Sequence, residues 1–140
     1  MYVLDTNVVS ELRKATSGRI DANVLRWSQS VPPPLCHISA VSVLELEIGV
    51  RQMERRDERQ GQLLRAWLDD VVLPFFAGRI LPVDLSVALR CAATSVPDPR
   101  PDRDGLIGAT AHVHNMTLVT RNVSDFTGMD IRLLNQWFAF

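Results

Sequence analysis

The sequence has one lysine, Lys14, two cysteines, Cys36 and Cys91, and no apolar run of about 18 residues. Each shortage excludes something. Neither cysteine has a second cysteine at metal-ligand spacing, so a disulfide scaffold and a thiolate zinc site are both out. Buried thiols in a reducing cytosol are expected instead. Without a spanning run, and with MYVLDTN at the start rather than a signal peptide, the expectation is a soluble, cytoplasmic protein with no membrane partner. An excess of positive charge is also missing. Fifteen basic residues face 16 acidic ones, a net charge of −1, so any nucleic-acid site must be a local patch. With only one lysine, the basic residues are nearly all arginine, whose forks match phosphates and carboxylates. A compositional bias explains that arginine preference equally well.

What is present is enough for a folded domain. The chain has 140 residues, 46% of them hydrophobic and 22% charged, which fits one globular domain over 1–140. Short apolar runs alternate with helical stripes. Tyr2–Leu4, 35–38, 80–83, 118–120 and 131–134 read as strands, with Pro82 marking an edge or a strand end. Between them Val8, Val9 and Leu12 follow helical spacing behind a cap at Asp5 or Thr6. Ile20, Val24 and Trp27 form a second stripe, stopped by Pro32, Pro33 and Pro34. A helix from near Ser42 carries Val43, Leu46 and Val50. Leu63, Leu64, Trp67, Leu68, Val71 and Val72 mark another. Asp84 caps a helix through Ala92, and a proline-rich loop, 97–101, precedes a helix over 104–113. Strands alternating with helices predict an α/β/α sandwich around a mainly parallel sheet of about four to five strands.

Such sheets bind ligands at the carboxyl ends of their strands. Asp5 follows the first strand, and Asn122 and Asp125 follow the strand at 118–120. Glu45 stands in the first turn of the helix after the strand at 35–38, and Asp104 opens the helix after the proline loop. Clustered carboxylates repel one another unless a cation compensates. Mg²⁺ or Mn²⁺ prefers oxygen ligands, and such an ion activates water and stabilises charge on a phosphate. His112 and His114, two apart on a helix, cannot face one ion together.

Each residue also has a purely structural reading. Ser42-x-x-Glu45 fits a capping box. Asp84 reads as a simple cap. Asp102 reads as the cap of its helix, which leaves Asp104 without a structural task. Asp125 fits an Asx turn. Glu47 points away from the face of Glu45 and reads as solvated, and 51–59 as a solvated face with internal ion pairs. Gly105, Gly108, Ala109 and Ala111 read as a close approach of helix to sheet.

LDTNVVSEL (4–12), SAVSVLELEIGV (39–50), DGLIGATA (104–111) and LVTRNVSDF (118–126) together resemble the PIN-domain ribonucleases, in family order and spacing. The similarity is to the VapC-type toxins of bacterial toxin–antitoxin pairs, and LPFFAGRILPVD (73–84) resembles their FitB-like branch. The resemblance implies an acidic quartet of Asp5, Glu45, Asp104 and Asp125. Asp5 and Asp104 would be the central Mg²⁺ ligands with Asp125 close by, and Glu45 would reach the ion through water. Family members differ over whether the position of Asn122 or Asp125 is acidic. Thr6 or Thr120 would support the site by hydrogen bonding. The resemblance also implies a homodimer and a VapB-like antitoxin that binds DNA and lays its tail in the toxin's groove. Trp67, Leu63 and Leu64 offer apolar surface for that tail, or core packing. PDPRPDRD (97–104) departs from the family pattern.

The expected activity is therefore metal-dependent cleavage of RNA, of transfer or ribosomal type, with Arg121 holding the backbone. DNA would be met only through the antitoxin. The alternative is a largely non-catalytic binding module in a DNA-bound complex with its antitoxin, which the complete acidic set counts against. A carboxylate-based phosphatase would need a nucleophilic D-x-D where the sequence has D-T-N.

Overall fold

Five short apolar runs become the strands of one parallel sheet in the computed structural model, which describes residues 1–138. They are β1 (Tyr2–Leu4), β2 (Cys36–Ser39), β3 (Ile80–Leu81), β4 (Thr117–Val119) and β5 (Leu133–Leu134). Their order is β3-β2-β1-β4-β5, with every pairing parallel. The helices are α1 (Thr6–Leu12), α2 (Ala22–Ser30), α3 (Ala40–Arg56), α4 (Glu58–Trp67), α5 (Leu73–Phe75), α6 (Leu85–Thr94) and α7 (Asp102–Val113). A π-type turn, Leu68–Val72, joins α4 to α5. The last two residues of the expected 1–140 domain lie outside the described residues. Among the described residues no helix is long and apolar enough to cross a membrane.

Alternation along the strands splits the core in two. Val3 and Leu118 join Ile107, Ala111, Phe126 and Met129 on one face, under α7. Leu4 and Val119 join Val8, Val9, Trp27, Ile38 and Leu68 on the other, under α1 to α4. Trp27 packs edge-on against Tyr2, ring centroids 5.4 Å apart, which adds to the burial of both rings. This is the α/β/α sandwich that the alternation of elements predicts.

Several boundaries move for identifiable reasons. β3 stops at Leu81 because Pro82 has no N–H to extend the ladder. α3 starts at Ala40, not near Ser42, because the Ser39 hydroxyl accepts from Val41 N at 3.0 Å and makes the cap. α7 starts at Asp102, with Pro101 in the cap position, so Asp102 is a first-turn acid and not the cap expected. Asp125, which fits an Asx turn in the sequence, lies in a short 3₁₀ turn, Val123–Phe126. Glu47 is not simply solvated: it bridges Arg51 and Arg65 at 2.6 Å each and ties α3 to α4, and these partners hold its carboxyl down to about 2. Cys36 is buried as expected, while Cys91 is only half-buried.

The strand order places a crevice. From β1 the chain moves outward to β3, then returns to the other side of β1 for β4 and β5. Connections leaving the carboxyl ends of β1 and β4 therefore part in opposite directions. Asp5 and Thr120 are the residues that leave those two ends.

The small residues of α7 set how closely it packs, against different partners than the sheet alone. A Cβ on Gly108 would lie 2.6 Å from Met129 Sδ and 3.4 Å from Phe126 Cδ1, and one on Gly105 would lie 2.8 Å from Cys91 Sγ of α6. Gly108 thus lets the middle of α7 lie close to Phe126, which ends the 3₁₀ turn that carries Asp125. Gly108→Val should destabilise the protein by roughly 1–3 kcal/mol through overpacking, read from the midpoint of a denaturant titration. An unchanged midpoint would mean that the contact is slack.

Candidate active site

Asp5 is built into the start of α1. Its extended backbone (φ −66, ψ 156) ends β1 and makes it the cap, and its Oδ1 accepts from Thr6 N at 2.8 Å. Oδ2 accepts from Thr120 Oγ1 at 2.8 Å and from Asn7 Nδ2 at 3.2 Å. Asp5 is only 6% exposed. Burial pushes its carboxyl above the ordinary 3.8, against the hydrogen bonds from Thr120 and Thr6, and the charges of Glu45 and Asp125 push the same way.

Glu45 does not complete a capping box. Ser42 lies inside α3, and Glu45 reaches out of the helix, where its Oε1 accepts from Thr6 Oγ1 at 2.7 Å. Ser42 Oγ lies 2.9 Å from the same Thr6 oxygen. Thr6 therefore ties α1 to α3 while Asp5 ties α1 to β4.

Asp104 lies in the first turn of α7, where the helix dipole favours an acid. Burial raises its carboxyl above 3.8, and Asp125, Asp5 and Glu45 raise it further, while Arg100 opposes them. Asp125 is exposed on the 3₁₀ turn, and its N–H donates to Asn122 O at 3.0 Å. Its charge is felt at both Asp5 and Asp104. So the four carboxylates that the sequence singled out, borne by β1–α1, α3, α7 and the turn after β4, stand within electrostatic range of one another.

The remaining expected residues divide. Thr6 and Thr120 both hold carboxylates. Asn122 contributes its backbone, N donating to Thr120 Oγ1 at 3.0 Å. Arg121 turns its guanidinium over the ring of Trp137, 5.3 Å from the centroid, and its N–H donates to Asn7 Oδ1 at 3.3 Å. Three residues were not foreseen. Asn7 joins Asp5 to the backbone after β4. Arg100 donates to Thr94 O at 3.1 Å and Asp125 O at 3.3 Å, fastening the proline-rich loop to the turn of Asp125. Arg103 Nη1 lies 4.0 Å from Glu45 Oε2. The arginines of PDPRPDRD were the only signal for the last two.

Thr120 is fully buried and its single hydroxyl serves both Asp5 and Asn122. Thr120→Val should cost roughly 1–3 kcal/mol of stability, because the buried Asp5 carboxylate loses a donor and the Asn122 N–H loses its acceptor. Chemical denaturation reads this directly, and a neutral substitution would show that water replaces the hydroxyl.

The donors are all oxygens, which suits a hard divalent ion rather than zinc. Among the described residues no three His, Cys, Asp or Glu side chains are gathered tightly enough to hold an ion as they stand. Mg²⁺ needs fewer, since it keeps several waters and takes one or two carboxylates. Two carboxyls pushed up by burial and like charge are the groups that such an ion would relieve.

Known proteins agree with this architecture. The PIN domain pattern matches residues 2–130. The chain is 36% identical to the toxin FitB of Neisseria gonorrhoeae, over 98% of this chain and 99% of that one. It is 35% identical to the VapC ribonuclease Y4jK of Sinorhizobium fredii, over 98% of each. Among solved structures it is similar to the crystal structure of FitAcB from Neisseria gonorrhoeae, with a TM-score of 0.88, 33% identity and coverage of 99% of this chain and 100% of that one. A structure of FitAB bound to an IR36 DNA fragment matches with a TM-score of 0.87 at 32% identity, over 100% of this chain and 98% of that one. With the family pattern matched over most of its length and relatives 35% and 36% identical over 98% of it, the chain belongs to the PIN domain family.

Proposed function

We propose that this chain is a metal-dependent endoribonuclease, acting as a single domain over 1–140 and as the toxin of a type II toxin–antitoxin pair in the cytoplasm. The observation that carries the reading is the convergence of four carboxylates from four chain segments at the β1–β4 crevice, two of them with raised affinity for a proton. The ribonuclease and toxin names of FitB and the VapC relative support it.

Asp5 and Asp104 would hold Mg²⁺, or Mn²⁺, with Asp125 beside them. When bound, the ion activates water and offsets charge on the phosphate. Thr120, Thr6 and Asn7 keep the Asp5 carboxylate fixed. Thr6 also fixes one oxygen of Glu45, and the other, which faces Arg103 without a hydrogen bond, would orient a water. Arg121, stacked on Trp137, presents a cation and an aromatic ring beside the crevice, a pairing suited to an RNA backbone and its bases.

The partner is a VapB-like antitoxin, and DNA is reached only through it. A groove of about 180 Å³ leads from Thr6 and Glu45 past Leu64 and Trp67. A second hollow of about 660 Å³ continues past Arg13, Leu63 and Val71. Leu63 is 54% exposed there, while Leu64 and Trp67 pack on the core, so the apolar stripe serves both interior and groove. Leu85 and Leu89 leave an exposed apolar strip on α6 that suits a second copy of the chain.

The test is cleavage of total RNA by the purified chain, free of any partner, in Mg²⁺, Mn²⁺ or EDTA. Discrete fragments that vanish in EDTA are expected. A folded protein that yields none in either metal would overturn the reading in favour of a binding module.

A further inference from the structure

We infer that Arg103 is a further residue, beside Arg121, that grips the phosphate backbone of the RNA at this site, an assignment that rests on the ribonuclease reading. A cluster of acids repels the strand it must cut, so the mouth of the site needs a cation close to the acids themselves. Four arginines lie around it. Arg100 is engaged with the carbonyls of Thr94, Asp125 and Thr127. Arg121 lies over Trp137 and Arg13 over Trp67, which holds each guanidinium against a ring and leaves its N–H donors free. Arg103 alone of the four stands against a carboxylate of the site. Among the described residues its guanidinium makes only the long pair with Glu45, 4.0 Å, beyond hydrogen-bond reach, and its side chain is 51% exposed. Its neighbour in the chain is Asp104, so the helix turn that presents the acid presents the fork as well.

The placement matches the chemistry of a phosphodiester. Glu45 has one oxygen fixed by Thr6 and the other facing Arg103. The pair is loose enough for a phosphate to replace the carboxylate, and a guanidinium binds phosphate through two parallel N–H donors. Lysine offers the charge without the fork.

The experiment measures binding of a short fluorescent single-stranded RNA in EDTA, so that none is cut, across a salt series. The proteins are the parent, Arg103→Gln and Arg103→Lys, with Mn²⁺ affinity measured for each. Arg103→Gln should bind about tenfold more weakly. Its log–log salt slope should be shallower by about 0.7, the loss of one phosphate contact on a single strand. Arg103→Lys should keep the slope and recover part of the affinity. Mn²⁺ affinity should not change. Arg103→Gln with the parent's affinity and slope would overturn the assignment. Unchanged RNA binding with tighter Mn²⁺ binding would also overturn it, and would make Arg103 an internal plug of the acidic site. A parent that neither binds nor cuts RNA would instead bring down the ribonuclease reading itself.

Discussion

Asp104→Asn should reduce RNA cleavage by at least about a hundredfold and leave the fold unchanged. Loss of a residue behind a metal ligand already costs 10- to 100-fold in related metal sites, and loss of the ligand itself costs more. The substitution is clean for a structural reason. Among the described residues the Asp104 carboxylate accepts no hydrogen bond, so an amide of the same shape removes charge and little else. Asp102 remains in the first turn of α7 to meet the helix dipole. The variant also loses the repulsion that Asp104 shares with Asp125, Asp5 and Glu45. Its metal-free form should therefore melt no lower than the parent at neutral pH. A variant that cuts as fast as the parent would remove Asp104 from the site, and one that melts far lower would give it a structural role.

Mg²⁺ should stabilise the protein at neutral pH and not in acid. Asp5 and Asp104 both have folded-state pKa values raised above the ordinary 3.8. Between the ordinary and the raised value the folded state binds more protons than the unfolded one. Metal-free stability therefore falls as the pH rises through that window, and the whole penalty is present above it. Mg²⁺ binds the ionised carboxylates, so its benefit appears on the same side. At a hundredfold excess over its Kd the gain is about 2.7 kcal/mol. For a chain of this size that is a rise in Tm of roughly 5–11 °C. Below about pH 4, where carboxylates are protonated, the rise should vanish. Scanning calorimetry over the pH range decides it. A Tm indifferent to Mg²⁺ at pH 7, or raised equally in acid, would contradict the site.

The two carboxylates behind these predictions were legible for different reasons. Asp5 follows an apolar run too short for a helix, and an acid at the end of a buried strand has few bland explanations. Asp104 stood out only after Asp102 was given the cap, and that step was mistaken, since Pro101 occupies the cap position. The first turn of α7 nevertheless brings it within range of the charges of Asp125, Asp5 and Glu45. The strand order was beyond the sequence, as the apolar runs carry no label for their neighbours. It is nevertheless what puts Asp5 beside Thr120, 115 residues away.

Local spacing also misjudged what long-range contacts decide. Ser39 and Ser42 are both serines near a helix start; Ser39 takes the Val41 N–H and caps α3, while Glu45 is drawn away from Ser42 N–H to Thr6, 39 residues apart. Arg100 and Arg103 are three residues apart in one proline-rich stretch. One turns to backbone carbonyls and the other to a carboxylate, which no periodicity distinguishes. Arg121 was the obvious arginine from sequence, but its stacking on Trp137, 16 residues on, carries no local signal.

The central claim is that Asp5, Glu45, Asp104 and Asp125 serve one divalent ion. It is tested most directly by crystals of the free chain grown with Mn²⁺ and measured at a wavelength where manganese scatters anomalously. An anomalous peak between the carboxylates of Asp5 and Asp104, absent from crystals of Asp104→Asn, is the expected result. No peak in that crevice at saturating Mn²⁺, or a peak that persists unchanged in the variant, would contradict the account.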